Sequence, residues 1–481
     1  MTSSAFYDDR IINFGTFCRS QSLRSNRWGR TSPCSACRSF NFGDIIQHDL
    51  GLEEALVGLD TTWKAIMKVV VLGAGLSGVL SAYYLNKDGH DVTVVDRQPI
   101  AANETSHANG SLICLGHSYP WASPAAPGIL LKSLIHDDQA LRLSPKLSPR
   151  MWSWLLKFLL ECPRSRADRH AASRLRLAAY SQSLMASVID DAKLQFHHTD
   201  RGLLYIYRNE STMKHGVEQM RVLEENGLPI KIINADEVAA IEPSLRPVKS
   251  EFVGAVYVPS DGTGDARLFT VELAKTLEAR GVKFLYNADI RGLNVAGGRV
   301  VSVDTSRGSI AADTFVAAMG SYTPLLLRSH GIKLDIFPVK GYSMTIPIDN
   351  PDEAPVIGGL DEDNLLAFSR LGDKLRLTAT AQFVGYDTSH TVDDFRHMTQ
   401  AAKSLYPTIG DYANAKYWAG LRPATPDGNT RFGPAKYPNL ILNTGQGSMG
   451  WTMACGSGRV TADIVAGRRP AIDISEMVFR N

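Results

Sequence analysis

The stretch KVVVLGAGLSGVLSAYYLNKDGHDVTVVD, from Lys68 to Asp96, decides the fold of this chain. It begins with the run Lys68–Leu72, whose consecutive aliphatic residues are typical of a strand buried on both faces. The glycine-rich loop Gly73–Gly78 follows, and it leads into a helical pattern that ends near Gly89. A second apolar run, Asp91–Asp96, closes the stretch. This order predicts a strand–helix–strand unit of a parallel α/β sheet.

The glycine loop has the spacing G-x-G-x-x-G, and each glycine has a physical reason. Gly73 permits the tight turn, Gly75 lets the backbone approach a pyrophosphate, and Gly78 lets the helix pack on the strand. The helix start offers free N–H groups to phosphates. Asp96, 23 residues after Gly73, would accept hydrogen bonds from the adenosine ribose, which argues against a 2′-phosphate. The stretch therefore predicts a dinucleotide site of the Rossmann type. The cofactor-binding residues predicted in it are Val69, Val70, Val71, Leu72, Gly73, Ala74, Gly75, Leu76, Ser77, Gly78 and Asp96.

The first loop does not distinguish FAD from NAD, because both dinucleotides use the same cradle. A second helix–strand unit is predicted at 268–285, followed by two strands at 300–311 and a buried strand at Thr314–Gly320. Near the C-terminus, the strand Leu440–Asn443 enters a second glycine loop, followed by a helix predicted from about Thr452 to Ala466. A helix start aimed at the cofactor stabilises negative charge on a reduced flavin. The two glycine loops together favour FAD.

Composition sets the class of the protein. The chain has 481 residues, enough for two to four domains at about 150 residues each. There are 51 Lys and Arg against 49 Asp and Glu, so the balance gives no reason to expect a nucleic-acid partner. The six cysteines have no regular spacing, so we expect a reducing compartment rather than a disulfide framework. No apolar run is long enough for a transmembrane helix.

The first 66 residues differ from the rest. The part up to Gly43 is rich in Arg and Ser and poor in acids, which fits either a targeting segment or a disordered extension. Because Met67 directly precedes the first strand, we favour an extension or a translated stretch upstream of the true start. Cys34 and Cys37 form a C-x-x-C pair with no second pair nearby, so we expect no zinc site.

From Met67 to about Ala471 the chain resembles the FAD-dependent D-amino-acid dehydrogenases, within the superfamily of D-amino-acid oxidase, glycine oxidase and sarcosine oxidase. Two positions depart from the dehydrogenase pattern: Gln446 stands where that group usually has His, and Gly110-Ser111 where it usually has Ala-Gly. The stretches that carry the resemblance are VVVLGAGLSGVLSAYYL at Val69, ETSHANG at Glu104, PWASPAAPG at Pro120, GTGDARLFT at Gly262, FPVKGYSMTIPI at Phe337, WAGLRPATPDG at Trp418 and LNTGQGSMGWTMACGSG at Leu442.

The resemblance implies an α/β fold in which a Rossmann-like FAD-binding domain is joined to a discontinuous α+β substrate domain with an antiparallel sheet. Short strands predicted at Leu203–Tyr207, Arg376–Thr380 and Gly341–Ile348, with a helix at Ser173–Lys193, agree with this in outline. The implied boundaries are 67–120, 254–328 and 417–471 for the FAD-binding domain, 121–253 and 329–416 for the substrate domain, and 472–481 for a C-terminal tail.

Oxidation of an amino acid at Cα requires a held carboxylate, a neutral amine and a flavin that accepts the hydride, so no metal is expected. Arg422 matches the carboxylate-binding arginine of the oxidase relatives, and a bidentate arginine suits a planar carboxylate. Tyr342 is the second candidate, on a strand predicted to face the ligand. His107 is more simply a loop histidine than a base, and Cys455 a packed residue, since the resemblance implies non-covalent FAD. Further cofactor contacts are expected from Arg97, Thr105, Ser106, Gly320, Gly447, Ser448, Met449, Gly450 and Trp451.

The segment Met151–Leu160 carries two tryptophans and one charge, and it is too short to span a bilayer. It fits either a buried helix or an interfacial one. The preferred interpretation is a dehydrogenase that converts a D-amino acid such as D-alanine to a 2-oxo acid and ammonia and passes electrons to a quinone or another respiratory acceptor. The expected location is cytoplasmic, with peripheral contact to the inner membrane. The alternatives are an oxidase of glycine, sarcosine or a cyclic imino acid that uses oxygen, and a non-catalytic flavoprotein subunit.

Overall fold

The computed structural model describes residues 66–133, 141–143 and 148–480. The predicted N-terminal extension, with Cys34 and Cys37, lies outside the described residues apart from Ile66. Two large sheets organise the described part, one parallel in its centre and one mostly antiparallel, with helices packed on both. The predicted α/β class is confirmed.

Strands and helices alternate over much of the first half of the described chain, and the second half has three runs of consecutive strands, at 283–317, 337–383 and 416–444. The strands are β1 (Lys68–Leu72), β2 (Asp91–Val95), β3 (Leu112–Ile113), β4 (Leu141–Leu143), β5 (Leu203–Tyr207), β6 (Lys231–Asn234), β7 (Gly254–Val258), β8 (Gly262–Thr263), β9 (Lys283–Leu285), β10 (Ile290–Ala296), β11 (Arg299–Thr305), β12 (Gly308–Ala311), β13 (Thr314–Ala317), β14 (Phe337–Pro347), β15 (Gly358–Asp361), β16 (Leu366–Leu371), β17 (Lys374–Phe383), β18 (Lys416–Ala424), β19 (Arg431–Pro434) and β20 (Leu440–Thr444). The α-helices are α1 (Leu76–Lys87), α2 (Ala126–Ser133), α3 (Pro149–Glu161), α4 (Arg164–Ala192), α5 (Glu210–Glu225), α6 (Ala235–Ile241), α7 (Ala266–Ala279), α8 (Thr323–Arg328), α9 (Arg396–Leu405) and α10 (Ala454–Val465).

The parallel sheet has six strands in the order β19-β20-β13-β1-β2-β9, and only β19 is antiparallel to its neighbour. The first strand, β1, lies inside this sheet between β13 and β2. Its residues Val69–Leu72 are buried, with Val69 and Val71 facing one apolar cluster and Val70 and Leu72 another. Burial on both faces explains why this run shows no alternation of polar and apolar residues.

The second large sheet has nine strands, with the order β18-β14-β17-β16-β15-β5-β7-β6 and β4 paired to β17. One face packs on α9 and its neighbours through an apolar cluster that includes Leu204, Phe368 and Phe395. Residues of the opposite face, such as Tyr205 and Ala367, contact the segment that follows β3 and helices α4 and α5. The sheet therefore forms a wall that faces the segment after β3.

Several local predictions need adjustment. The strands predicted at 300–311 form a three-stranded sheet with β10, whose mostly exposed residues give a weak apolar pattern. The helix predicted from Thr452 begins at Ala454. The second glycine loop contains a 3-10 turn at Gly447–Met449, and residues 450–453 form turns before the helix. Helix α4 is longer than predicted at its N-terminal end.

The domain boundaries remain a prediction. Two strands that they assign to the FAD-binding domain, β7 and β18, pair within the nine-stranded sheet. The segment predicted as a C-terminal tail lies against β19, where Phe432 exchanges backbone hydrogen bonds with Met477 and Phe479. Met477 is buried there. Within the described residues, no helix is long and apolar enough to cross a membrane.

Candidate active site

A cavity of about 1080 Å³ lies between the two large sheets. Its volume lies just above the roughly 300–1000 Å³ typical of ligand pockets. The walls come from the first glycine loop, the segment Glu104–Tyr119, the second glycine loop and the cavity-facing side of the nine-stranded sheet. The cavity thus joins the predicted cofactor residues to the predicted substrate residues.

The first glycine loop forms one end of this cavity. Gly73 has a φ of 109°, and a Cβ there would lie 2.7 Å from the carbonyl oxygen of Ala318. A Cβ on Gly78 would lie 1.8 Å from the carbonyl oxygen of Gly73, so only glycine lets α1 pack this closely. At Gly75, by contrast, a Cβ would contact only the Oγ of Ser106, at 3.5 Å. The loop therefore presents a bare backbone to the cavity at Gly75, as a pyrophosphate requires.

Asp96 and Arg97 lie at the end of β2 beside this loop. The carboxylate of Asp96 accepts hydrogen bonds from the amides of Ala74, at 2.6 Å, and Gln98, at 2.8 Å, and it also lines the cavity. Burial raises the pKa of Asp96, and the two amides oppose that rise. Arg97 is held by Glu104 at 2.6 Å, with its guanidinium 3.9 Å from the ring centre of Tyr322. Asp96 thus both braces the loop and faces the ligand.

Hydroxyl groups connect the cofactor end to the substrate end. Ser106 accepts a hydrogen bond from the amide of Leu76 at the start of α1. Thr105 and Ser321 both donate to the carbonyl oxygen of Leu421, at 2.8 and 3.1 Å. Because Leu421 directly precedes Arg422 on β18, these bonds fix the strand that carries the predicted carboxylate-binding residue.

The second glycine loop closes the cavity on another side. Gly447, Ser448, Gly450 and Trp451 of this loop line the cavity, and so does Gly320, which follows β13. The indole of Trp451 donates to the carbonyl oxygen of Gly264 at 3.1 Å, which anchors the turn. The predicted cofactor residues that do not line the cavity are Val69, Val70, Val71, Leu72, Ala74, Gly78 and Met449.

These seven residues act through packing. The strand residues support the loop from within the sheet, while Met449 belongs to the apolar cluster beneath the second loop. At the other predicted positions, glycines of both loops, such as Gly73, Gly75, Gly447 and Gly450, line the cavity with backbone and no side chain. A dinucleotide with a flavin therefore fits the residues present: the first loop would hold the pyrophosphate, Asp96 the ribose, and the second loop the flavin end.

Arg422 is the most distinctive charge on the cavity wall. Its Nη1 donates to the carbonyl oxygen of Thr380 at 3.0 Å, and the guanidinium packs against the Cα of Gly341. No ion pair within the described residues involves Arg422. Burial lowers its pKa to about 10, so it remains charged at neutral pH. A buried cation without an anionic partner is prepared for an anionic ligand such as a carboxylate.

Tyr342 lies on β14, next to β18, and also lines the cavity. Its hydroxyl donates to the Oε1 of Gln382 at 2.5 Å, and its ring meets Phe395 edge to face. Burial raises the pKa of Tyr342 to about 12, so the phenol remains protonated. With its proton engaged by Gln382, the phenol oxygen can accept a hydrogen bond from a ligand amine.

His117 is a cavity residue that the sequence pattern did not indicate. Burial, then the nearby charges of Arg174 and Arg422, lowers its pKa to about 4, so it is neutral at pH 7. His107, the histidine that the sequence brought forward, is not on the cavity wall; its ring stacks on Trp418 with centroids 5.9 Å apart. The sequence did not indicate His117 because it stands alone in an apolar stretch, with no partner residue at a spacing typical of a site. Its position in the cavity follows from the fold.

Three further residues with reactive side chains, Cys455, His197 and His198, do not line the cavity. Cys455 is buried in α10 and does not line the cavity; burial raises its pKa to about 12. His197 and His198 lie outside the cavity as well. Among the described residues, no group of three or more His, Cys, Asp or Glu side chains has a metal-binding arrangement.

Comparison with known proteins identifies the family. The family model described as DAO, FAD dependent oxidoreductase, matches residues 68–464. The chain is 43% identical over 414 residues to D-amino acid dehydrogenase 2 of Mesorhizobium japonicum, with 86% of this chain and 100% of that protein covered. It is 42% identical over 413 residues to the D-amino acid dehydrogenase of Bradyrhizobium diazoefficiens, with 85% and 98% covered.

Solved structures agree on the fold. Glycine oxidase from Geobacillus kaustophilus has a TM-score of 0.68 at 19% identity, covering 86% of this chain and 98% of that one. L-proline dehydrogenase from P. horikoshii has a TM-score of 0.64 at 18% identity, covering 84% and 94%. The predicted family and cofactor are confirmed. The chain belongs to the DAO family of FAD-dependent oxidoreductases, and FAD is its cofactor.

Proposed function

We propose that this enzyme oxidises D-amino acids at Cα, giving a 2-oxo acid and ammonia, and passes the electrons to a quinone or a similar respiratory acceptor. The observation that carries the proposal is Arg422, a largely buried cation that makes no ion pair with the described residues, in the same cavity as the first glycine loop. The relatives named D-amino acid dehydrogenase, which the chain matches over nearly their whole length, supply the substrate class.

The chain's own residues have to position the substrate. Arg422 would receive the carboxylate through two N–H groups. The carbonyl oxygen of Thr380, at a bulge where β17 loses register with β14, keeps the guanidinium fixed. Tyr342 would accept a hydrogen bond from the amine, and the neutral His117 adds no charge beside it. FAD supplies the hydride acceptor when bound. Because Cα loses a hydride, the chain needs no base for the α-hydrogen; water then hydrolyses the imine.

Helices α2 and α3 support the proposal that the electrons pass to a quinone or a similar respiratory acceptor. The buried face of α3 packs through Met151, Trp154, Leu155 and Phe158. Its opposite face exposes Trp152, Leu156, Leu159 and Leu160, and α2 exposes Ile129 and Leu131 nearby in the same region. Ile129, Leu130 and Phe158 also line the cavity. An apolar surface beside a cavity wall suits an apolar acceptor that arrives from a bilayer.

The membrane contact follows from the same surface. Tryptophan and leucine on one helix face, with the helix lying flat, is the arrangement of an interfacial helix. We infer peripheral attachment, on the cytoplasmic side of the inner membrane, through α2 and α3. Both interpretations of Met151–Leu160 thus have a basis, because one face is buried and the other is exposed.

The deciding experiment is anaerobic reduction of the purified, FAD-loaded protein. D-Alanine should bleach the flavin absorbance and L-alanine should not. Failure of every D-amino acid would overturn the proposal: bleaching by glycine, sarcosine or a cyclic imino acid would then support the oxidase, and bleaching by none of these would leave the non-catalytic subunit. The reduced enzyme is then mixed in stopped flow with air-saturated buffer or with a soluble quinone. Faster reoxidation by the quinone supports the dehydrogenase, and faster reoxidation by oxygen replaces it with the oxidase.

A further inference from the structure

One carboxylate on the cavity wall, Glu362, has no role in the chemistry above. It follows β15 directly and lines the cavity together with Leu360 and Leu365. Within the described residues, no hydrogen bond or ion pair of its side chain is made. Burial, and then the neighbouring Asp361 and Asp363, raises the pKa of Glu362 to about 7. An unpartnered carboxylate at this depth is costly unless a ligand supplies the partner.

The two neighbouring aspartates are already satisfied. Asp361 accepts hydrogen bonds from the Nε of Arg208 and the Nδ2 of Asn364, both at 2.8 Å. Asp363 accepts from the amide of Arg208 at 2.6 Å and from Asn209 at 2.7 Å. The guanidinium of Arg208 pairs with Asp361, and neutral N–H donors satisfy Asp363, which leaves Glu362 as the carboxylate that faces the cavity without a partner among the described residues.

The sheet register gives the position of Glu362 relative to Arg422. Leu360 pairs with Ala367, and Ala367 pairs with Thr378, so these residues form one row across three strands. Glu362 lies two residues beyond Leu360, in the turn after β15, and Thr380 lies two residues beyond Thr378 on β17, which runs parallel to β15. Two strand spacings separate Leu360 from Thr378 by about 10 Å. Thr380 holds Arg422 through its carbonyl, so the cavity has a cation at one end of this row and an anion at the other.

We propose that Glu362 is a specificity residue that binds the positively charged end of a basic side chain, so that D-amino acids such as D-lysine and D-arginine are substrates. The inference rests on the proposed function, in which Arg422 holds the carboxylate. A substrate with a carboxylate at one end and a cation at the other then spans the cavity between Arg422 and Glu362. The wall between them is formed by Leu365, Ala367 and Thr378, which suits the methylene chain.

The test compares D-lysine with D-norleucine, its uncharged counterpart, on the FAD-loaded enzyme at pH 8. Glu362→Gln keeps the shape of the side chain and removes the charge. We expect the ratio of kcat/KM for D-lysine to that for D-norleucine to fall about tenfold or more, with the value for D-norleucine within about twofold. Glu362→Asp should retain part of the ratio. Glu224→Gln, at an exposed carboxylate on α5, is the matched control and should change neither value.

A binding measurement makes the test independent of turnover. Perturbation of the flavin spectrum gives the Kd of 6-aminohexanoate, which is lysine without its α-amine, and of hexanoate. Tighter binding of 6-aminohexanoate that is lost in Glu362→Gln supports the inference. An equal ratio and equal binding in the wild type and Glu362→Gln overturn it. Bleaching by D-alanine tests the proposed function separately, since that substrate does not reach Glu362.

Discussion

The Nη1 of Arg422 donates a hydrogen bond to the carbonyl oxygen of Thr380, and Thr380 has a left-handed backbone with φ of 65°. That conformation is rare for a β-branched residue. The register between β14 and β17 shifts between Gly341 and Tyr342, which leaves Thr380 without a partner on β14. Such a bulge frees a carbonyl from the ladder. Backbone strain at this position thus serves to fix the buried guanidinium.

Replacing Arg422 tests its role as the carboxylate site. Arg422→Ala should raise KM for every amino-acid substrate, because loss of a buried charge-assisted contact costs about 2–5 kcal/mol, or roughly 30- to several-thousand-fold. Arg422→Lys should recover only part of the lost affinity, because a compact ammonium group replaces a planar guanidinium that donates two parallel hydrogen bonds. Steady-state kinetics with an artificial electron acceptor measure the effect. The exposed Arg299→Ala is the control, and an unchanged KM in Arg422→Ala with FAD still bound would contradict the assignment.

Replacing Gly75 tests the cofactor loop. The backbone at Gly75 is extended, with φ of −76°, and a Cβ there has open space apart from Ser106. Gly75→Val should therefore fold but lose FAD, because its methyl groups enter the space that the pyrophosphate needs. Circular dichroism checks the fold, and fluorescence titration with FAD gives the affinity. Gly78→Val is the contrasting variant, expected to fail in folding since its Cβ meets the carbonyl oxygen of Gly73. Wild-type FAD affinity in Gly75→Val would contradict the loop's role.

The cofactor end could be predicted because its signals are local. In β1, the glycine loop and β2, the residue types that make the strand, the turn and the helix start are the same residues that shape the site. Strand burial, the need for glycine at Gly73 and the acid at Asp96 all follow from neighbours in sequence. Arg422 is different, because a resemblance in its flanking residues indicates it and no local pattern does.

The substrate end could not be predicted in the same way. His117 and Glu362 reach the cavity through the order of strands in the nine-stranded sheet and the path of the segment after β3, and neither leaves a periodic signal. The Trp154 side chain likewise depends on tertiary packing: its indole donates to the carbonyl oxygen of Ala424, on a strand 270 residues away. Long-range pairing of this kind is not readable from one sequence.

Ser111 provides a prediction about stability. Its backbone has φ of 57°, and its hydroxyl is buried with no hydrogen-bond partner in the described structure. Ser111→Gly removes the strain of a left-handed backbone, roughly 1–2 kcal/mol, and also removes an unsatisfied hydroxyl. The opposing contribution is the greater conformational entropy of glycine in the unfolded chain, about 0.5–1 kcal/mol. We expect Tm to rise by ~1–2 °C, a small shift because the entropy of unfolding of a chain this long is large. Ser111→Ala, which keeps the strained backbone, should gain less. Calorimetry on the FAD-loaded protein decides, and a Tm at or below the wild type would contradict the prediction.

Glu362 predicts a pH dependence of stability. Its folded pKa of about 7 lies above its ordinary value, so folding disfavours the charged form. The folded state therefore loses stability as pH rises between about 4 and 7, and the loss is complete above that range. Glu362→Gln does not titrate. Its stability relative to the wild type should increase from pH 5 to pH 8, by at most about 3 kcal/mol. Denaturant unfolding at both pH values checks this, and an equal difference at the two would contradict it.

The membrane prediction depends on which tryptophan of α3 is changed. Trp154 is buried against Phe337 and Phe383, so its replacement damages the core and says nothing about a bilayer. Trp152 and Leu156 are 46% and 62% exposed. The double variant Trp152→Ser/Leu156→Ser should keep its Tm and its activity with a soluble dye. In sedimentation with anionic lipid vesicles it should bind at least tenfold more weakly, because each substitution loses part of the about 1.5–3 kcal/mol that complete burial of an apolar side chain contributes. Val301→Ser, 44% exposed on β11, is the matched control. Unaltered sedimentation of the double variant would show that this face of α3 does not contact the membrane.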